Sequence, residues 1–141
     1  MIQESGSENL DRIMEIWLDT NILAHPFIDR QYWEDVCDTV RSLLPSADIF
    51  ICREDDKIKG FIGITDHVYI AGLFVDREFQ SRGVGQELLN YCKARYRRLE
   101  LDVFTENEGA VRFYQRHGFQ TAERKMNPDF NHEEYHMVWT V

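Results

Sequence analysis

The segment Gln80-Ser81-Arg82-Gly83-Val84-Gly85 lies between a strand-like run, Ile70 to Val75, and a helix-like run, Val84 to Tyr96. Glycines at such a junction permit a tight turn, and they also let the backbone approach a ligand closely. The first N–H groups of a helix have no partner inside it, and the helix dipole adds partial positive charge there. The segment therefore predicts a binding site for a phosphate or pyrophosphate.

Two familiar phosphate-binding loops do not match this segment. The dinucleotide fingerprint needs a third glycine, and position 88 is Leu88. The nucleoside-triphosphate loop needs Gly-Lys-Ser/Thr, whereas Gly85 is followed by Gln86. The pyrophosphate site predicted here belongs to neither class.

A second segment downstream reads Asn107-Glu108-Gly109-Ala110-Val111-Arg112-Phe113-Tyr114-Gln115-Arg116-His117-Gly118-Phe119. The two segments together resemble the GCN5-related N-acetyltransferase (GNAT) family. The acetyl-CoA loop of that family reads Gln/Arg-x-x-Gly-x-Gly/Ala, and its later segment reads Asn-x-x-Ala-x-x-Phe-Tyr-x-x-x-Gly-Phe. Every fixed position of both patterns is present here, in the family's order and separation.

Hydrophobic periodicity predicts the order α, α, β, β, β, α, β, α, β, β, with a further short strand at Ile2. Ser7 is the predicted N-cap of the first helix, Pro45 ends the second, and Gly118 is the C′ residue of the last. The length and this order indicate one domain, residues 1–141, with a mixed α/β sheet. The GNAT fold has the same order. The resemblance implies that the sheet splays between the strands ending near Val75 and Phe104.

The resemblance implies direct transfer of an acetyl group from acetyl-CoA to an amine. Backbone N–H groups between Arg82 and Gln86 would bind the pyrophosphate, and peptide groups of Phe74 and Val75 would pair with the pantetheine arm. The cofactor-binding prediction comprises Phe74, Val75, Gln80, Ser81, Arg82, Gly83, Val84, Gly85, Gln86, Asn107 and Tyr114. Arg82 or Arg77 would add positive charge near the pyrophosphate.

The same resemblance makes Tyr114 the general acid that protonates the departing thiolate. The alternative from the residues alone is an aromatic core position beside Phe113. Asn107 would hydrogen-bond the pantetheine arm or a backbone carbonyl, and the alternative is that it caps the helix that starts at Glu108.

The general base is the part of the pattern that departs from the family. Many members carry a Glu on the strand before the glycine loop, but this chain reads Tyr69-Ile70-Ala71-Gly72-Leu73 there. Tyr69 and His25 are the substitutes that the sequence offers, and bulk water is a third route for the proton. Tyr69, His25 and Phe27 are predicted to line the acceptor site.

Composition indicates which partners and which cellular compartment to expect for this protein. The net charge of −9 disfavours nucleic acid and favours a cationic amine as acceptor. Three widely spaced cysteines, Cys37, Cys52 and Cys92, are expected to be reduced and buried. No apolar run is long enough to cross a membrane and no secretory signal is visible at the first residues, so a cytoplasmic location is expected. A monomer or a homodimer is expected, the latter by pairing of a strand such as Glu134 to Val141.

The pattern His132-Glu133-Glu134-Tyr135-His136 matches the His-Glu-x-x-His motif of zinc peptidases. That chemistry needs a helix, which places both imidazoles on one face. Pro128 and Asn131 precede the pattern, and Tyr135 to Val141 alternates as a strand does. Two histidines four residues apart on a strand stand about 13 Å apart, at roughly 3.3 Å per residue. No metal site is predicted.

The sequence thus predicts an N-acetyltransferase that uses acetyl-CoA. Its acceptor is a protein lysine, a peptide N-terminus or a small cationic amine. The alternative from another class is a CoA-binding sensor or interaction module without catalysis, which the missing family base favours and the intact Asn107 and Tyr114 oppose.

Overall fold

Seven strands form one sheet in the order β1-β2-β3-β4-β5-β7-β6 in the computed structural model, which describes residues 1–141. The strands are β1 Ile2–Glu4, β2 Asp48–Glu54, β3 Lys57–Thr65, β4 Tyr69–Val75, β5 Arg98–Phe104, β6 Gln120–Met126 and β7 Glu133–Thr140. The helices are α1 Leu10–Ala24, α2 Arg30–Leu43, α3 Val84–Lys93 and α4 Glu108–Arg116. This order confirms the prediction, including the short first strand.

Several element ends differ from the predicted ones. Ser7 does not cap α1, because a 3-10 turn covers Ser7–Asn9 and makes Asn9 the N-cap residue. The helix after the glycines ends at Lys93, three residues before the predicted Tyr96. Cys52 and Cys92 are buried as predicted, but Cys37 lies on α2 and is only half-buried.

Both hairpins in the first half of the sheet close with tight turns. Asp55 and Asp56 connect β2 to β3, and Asp66 and His67 begin the turn from β3 to β4; all four have positive φ. Such turns match the twist of the flanking strands, and Asp is among the residues that adopt them most readily. These turns keep β2, β3 and β4 adjacent and antiparallel.

Each face of the sheet carries its own hydrophobic core. One face packs against α3 and α4 around Leu88, Leu89 and Leu99. The other packs against α1 and α2 around Ile13, Trp17 and Phe61. The sheet is therefore the middle of three layers, and the residues at its centre are shielded on both sides.

The sheet opens between its two halves. The parallel strands β4 and β5 pair only at Tyr69 and Glu100. In β4 the register passes from Ile70 to Gly72 against consecutive residues of β3, so Ala71 is an extra residue that forms a bulge. A bulge bends its strand, and here β4 has no paired neighbour on the β5 side beyond Tyr69. The splay that the family resemblance implied is thus present.

The last strand is an interior strand. β7 pairs with β5 on one side and with β6 on the other. The suggested dimer contact through Glu134 to Val141 is therefore wrong, because a strand with two neighbours has no edge to offer. β1 and β6 are the edge strands of the sheet. No helix combines the length and the apolar content that crossing a bilayer requires.

Candidate active site

A cleft of about 740 Å³ occupies the gap between the two halves of the sheet. Its walls come from the end of α1, the end of β4, the glycine segment with the start of α3, and α4. The lining residues are Thr20, Asn21, Leu23, Ala24, His25, Leu73, Phe74, Val75, Gln80, Ser81, Gly83, Val84, Gly85, Gln86, Asn107, Gly109, Ala110, Phe113, Tyr114, Arg116 and His117. The two sequence segments singled out above thus meet in one cavity.

The glycine segment presents free backbone donors to this cleft. Gly83 has φ 84° and is the N-cap of α3 without any side-chain cap. The first backbone bond of the helix runs from the Glu87 N–H to the Gly83 carbonyl at 3.0 Å. The N–H groups of Val84, Gly85 and Gln86 therefore precede the helical ladder and are free to bind an anion.

Side chains hold the segment in place around those donors. The amide of Gln80 donates to the Val75 carbonyl at 3.0 Å, which ties the segment to the end of β4. A Cβ on Gly85 would lie 3.4 Å from the ring of Phe113, so α4 packs closely over the start of α3. Arg77 is paired with Asp19 on α1 at 2.8 Å, whereas Arg82 is exposed and does not line the cleft.

The end of β4 forms the floor of the cleft. Phe74 turns its ring into the core beneath α1 and α2, 5.2 Å from the ring of Phe61. The side chain of Val75 packs in the opposite core. Because these side chains are anchored on the two faces, the strand's backbone is what faces the gap beside it. The side chains of Phe74 and Val75 are thus packed in the two cores, and pairing of their main chain with the pantetheine arm stays a prediction.

Tyr114 is fixed by the way α4 ends. Gly118 has φ 87°, its N–H donates to Gln115, and the Phe119 N–H donates to the Tyr114 carbonyl at 3.0 Å. This is the Schellman motif, which confirms Gly118 as the C′ residue. The Tyr114 ring lies 5.4 Å from Phe119 and 5.3 Å from Phe113.

The chemistry of the Tyr114 hydroxyl follows from this packing. The residue is 8% exposed and lines the cleft, so the exposed part belongs to the cavity. Burial raises the pKa of Tyr114 well above its usual value, which keeps the hydroxyl protonated at neutral pH. The hydroxyl is therefore unsuited to taking a proton, and its place in the cleft, rather than its raised pKa, makes it a candidate proton donor.

Asn107 also lines the cleft and caps α4. Its side-chain oxygen accepts from the Ala110 N–H at 3.4 Å. The capping role that the sequence offered as the alternative is thus present, and the Nδ2 group remains free for another partner.

The three residues predicted to line the acceptor site do not all lie at the cleft. His25 lines the cleft, and Phe27 lies behind it with ring centroids 5.7 Å apart. Tyr69 does not line the cleft; its hydroxyl donates to Asp102 on β5 at 2.8 Å. Burial and the Asp102 carboxylate raise the pKa of Tyr69, which weakens it further as a candidate base.

The two histidines of the His-Glu-x-x-His pattern have separate partners. His132 precedes β7 and contacts Glu106 at 2.6 Å. His136 lies within β7, with Asp102 at 2.9 Å and Glu100 at 2.8 Å. The part of the pattern from Glu133 to His136 lies on a strand, as predicted. No group of three or more His, Cys, Asp or Glu residues is arranged to hold a metal ion.

Several lining residues were not predicted. The last turn of α1 contributes Thr20, Asn21, Leu23 and Ala24, and the end of α4 contributes Arg116 and His117. The sequence signal for the first group was Leu23, an apolar residue outside the helical spacing of the buried side chains. In the structure its side chain is 48% exposed.

Known proteins match this chain along most of its length. The family model described as an acetyltransferase (GNAT) domain matches residues 20–136. The peptidyl-lysine N-acetyltransferase YiaC of Escherichia coli is 33% identical over 142 aligned residues, covering 100% of this chain and 97% of that protein.

Solved structures show the same architecture. The solution structure of the apo form of YjaB from Escherichia coli superposes with a TM-score of 0.85 at 26% identity, covering 99% of this chain and 96% of the other. PaiA N-acetyltransferase from Thermoplasma acidophilum, solved in complex with coenzyme A, has a TM-score of 0.81 at 17% identity, covering 100% and 98%.

Proposed function

The chain belongs to the GNAT acetyltransferase family and is an N-acetyltransferase with an acyl-CoA cosubstrate, and from that premise we propose that it acetylates lysine side chains of proteins. The named activity of YiaC, which aligns with the whole chain, supports a peptidyl lysine as the acceptor. Net charge supports it too, because an acidic protein attracts an ammonium group.

The observation that carries the proposal is the single cleft that contains the glycine segment, the end of β4 and Tyr114. A thioester bound there lies between free backbone donors and a protonated phenol. Holding two reactants in one such site removes much of the entropic barrier to acyl transfer.

Each part of the cosubstrate has a matching feature in the cleft. The N–H groups of Val84, Gly85 and Gln86 would bind the pyrophosphate, with Arg82 free to add charge from the surface. The pantetheine arm would lie along β4 as an added strand, because β4 has no partner on that side beyond Tyr69. Asn107 would donate from its free Nδ2 group to an amide oxygen of that arm.

Tyr114 would complete the reaction as the general acid. When the amine attacks, the C–S bond breaks and its electron pair stays on sulphur. The Tyr114 hydroxyl, kept protonated by burial, would pass its proton to that thiolate.

The acceptor would enter past the α1–α2 connection. The rings of His25, Phe27 and Phe104 lie 5.4 to 5.7 Å from one another there. A lysine carries four methylene groups that pack well on aromatic rings while its nitrogen reaches further in. Glu106, which contacts His132 beside Phe27, adds a carboxylate at this end.

The test is acetylation of matched peptides followed by mass spectrometry. One peptide has a blocked N-terminus and a single internal lysine, and its control has arginine in place of lysine and a free N-terminus. Acetylation of the lysine peptide alone supports the proposal. Acetylation confined to the free N-terminus, or to a polyamine offered in the same assay, refutes it.

A further inference from the structure

His25 occupies an unusual position at the end of α1. It is the C-cap residue of that helix and lines the cleft from the side opposite α3 and α4. Its ring stacks on Trp33 with centroids 5.2 Å apart and meets the edge of Phe104 at 5.4 Å. The imidazole is thus packed among aromatic rings, and the residue borders the cavity.

The hydrogen bonds of His25 determine which nitrogen holds the proton. Nδ1 lies 2.9 Å from the Asn21 carbonyl, which can only accept, so Nδ1–H donates. Asn21 is itself buried and anchored by a bond from its own amide to the Trp17 carbonyl at 2.9 Å. In the neutral ring Nε2 therefore carries a lone pair, and it has no hydrogen-bond partner within the protein.

Electrostatics around the ring favour that neutral form. Burial lowers the pKa of His25, and the bond to the Asn21 carbonyl only partly opposes this. The elements packed against the ring present Trp33, Phe104 and Phe27. The titratable groups next to those rings are Tyr32, against Trp33, and His132 with its partner Glu106, beside Phe27. None of them forms an ion pair with His25.

The composition of the cleft wall narrows the choice of base. The wall contains no Asp or Glu, and its titratable residues are His25, Tyr114, Arg116 and His117. Tyr114 is held protonated, and an arginine does not deprotonate. His117 lies against the Phe113 ring at 4.6 Å, at the end of α4 beside Arg116 and Lys93. Of the two imidazoles, His25 alone lies at the acceptor entrance.

We propose that Nε2 of His25 is the general base that takes the proton from the attacking amine. This inference rests on the proposed acetylation of an amine in the cleft. The amine nitrogen bonds the thioester carbon and loses a proton to Nε2, while the C–S bond breaks and Tyr114 protonates the sulphur. The products are the amide and CoA thiol. His25 then releases its proton to solvent, and Tyr114 regains one.

The experiment is the pH dependence of kcat/KM for wild type and for His25→Asn. Asparagine can still donate to the Asn21 carbonyl, but it has no group at the position of Nε2. For wild type, kcat/KM should rise with pH in two steps. The lower step reports loss of the proton from His25 and has its midpoint below about 6.5; the upper step reports the lysine amine near about 10.4. In His25→Asn the lower limb should vanish and kcat/KM at neutral pH should fall at least about tenfold, with acetyl-CoA affinity kept.

Two further variants sharpen the result. His67→Asn changes an exposed imidazole in the β3–β4 turn and should retain the wild-type profile. Persistence of the lower limb in His25→Asn, or its loss in His117→Asn instead, overturns the inference.

A direct titration covers the case in which His25→Asn does not fold. The ring proton of His25 followed by NMR in wild type must titrate at the midpoint of the kinetic limb, and a mismatch also overturns the inference. A wild type inactive toward every amine would refute the proposed function instead.

Discussion

Replacing Gly83 by alanine isolates the backbone conformation of the cofactor loop. Gly83 has φ 84°, and a Cβ there would meet no heavy atom within 4 Å, so sterics with neighbours contribute nothing. The cost is that of a left-handed conformation for an L-residue, about 1–2 kcal/mol. At about 2.1 cal/mol/K per residue, unfolding 141 residues changes the entropy by about 0.3 kcal/mol/K. The expected fall in Tm is therefore about 3–7 °C.

Thermal unfolding with and without acetyl-CoA, together with titration calorimetry, measures both consequences of Gly83→Ala. The loop of the unliganded Gly83→Ala variant can leave the left-handed conformation, and in that case the fall in Tm is smaller than calculated. Affinity for acetyl-CoA then falls, because binding must restore the strained conformation. Each 1.4 kcal/mol of strain energy that binding must restore weakens the affinity for acetyl-CoA about tenfold.

Gly109→Ala is the matched control for Gly83→Ala. Gly109 also has open space for a Cβ, but it lies in the first turn of α4 without positive φ. Alanine there should leave stability unchanged or raise it by up to about 1 kcal/mol. If Gly83→Ala changes neither Tm nor affinity, the left-handed loop is not the binding conformation and the reasoning fails.

Four other outcomes are expected. Saturating acetyl-CoA, at about 100 times its Kd, should add about 2.7 kcal/mol to stability; no rise in Tm at millimolar ligand would argue against a pyrophosphate site at the glycine segment. Tyr114→Phe should lower kcat at least about tenfold in steady-state assays with little change in cosubstrate affinity, and unchanged turnover would remove it from the mechanism. Gly60→Ala should severely destabilise the fold in urea titrations, because its Cβ would lie 2.6 Å from the Phe74 carbonyl oxygen; near-normal stability would contradict the close β3–β4 pairing. His136→Gln should cost up to about 1 kcal/mol near pH 5.5 and little at pH 9, and an equal loss at both would exclude a charged His136.

The sign of the His136 effect follows from its surroundings. Burial lowers the pKa of His136, but hydrogen bonds to Asp102 and Glu100 outweigh this and raise it above its usual value. A raised folded pKa means that the charged form stabilises the fold. That contribution is fully present below the unfolded pKa, about 6.5, and is lost as the pH rises through the folded pKa.

Most of the fold could be predicted from local sequence patterns. Turns were predicted from glycines, prolines and aspartates, and α2, α3 and β5 from the spacing of their apolar residues. Both kinds of signal depend only on residues that are close together in the sequence. β6 was included in the predicted order without a comparable local signal, because its residues Gln120–Met126 are almost all exposed and show no apolar alternation. The position of β7 inside the sheet depends on long-range pairing, which no local pattern records.

The candidate site was predicted unevenly for the same reason. The segment from Gln80 to Gln86 and the pair Asn107 and Tyr114 follow motifs with fixed spacing, and the structure brings both into one cleft. Tyr69 was a plausible acceptor-site residue from its place on β4, but its side chain reaches Asp102 on β5 instead. The tautomer of His25 could not be foreseen, because it depends on where the carbonyl of Asn21 points.

The place of β7 between β5 and β6 also has a bearing on biosynthesis. A ribosome makes β6 before β7, yet β7 is the only strand with which β6 pairs. A nascent chain therefore holds β6 as an unpaired segment until β7, which begins seven positions later at Glu133, has also emerged. The edge of β5 that β7 will cover is unpaired over the same interval. Unpaired strand edges of this kind make an incomplete chain prone to aggregation during synthesis.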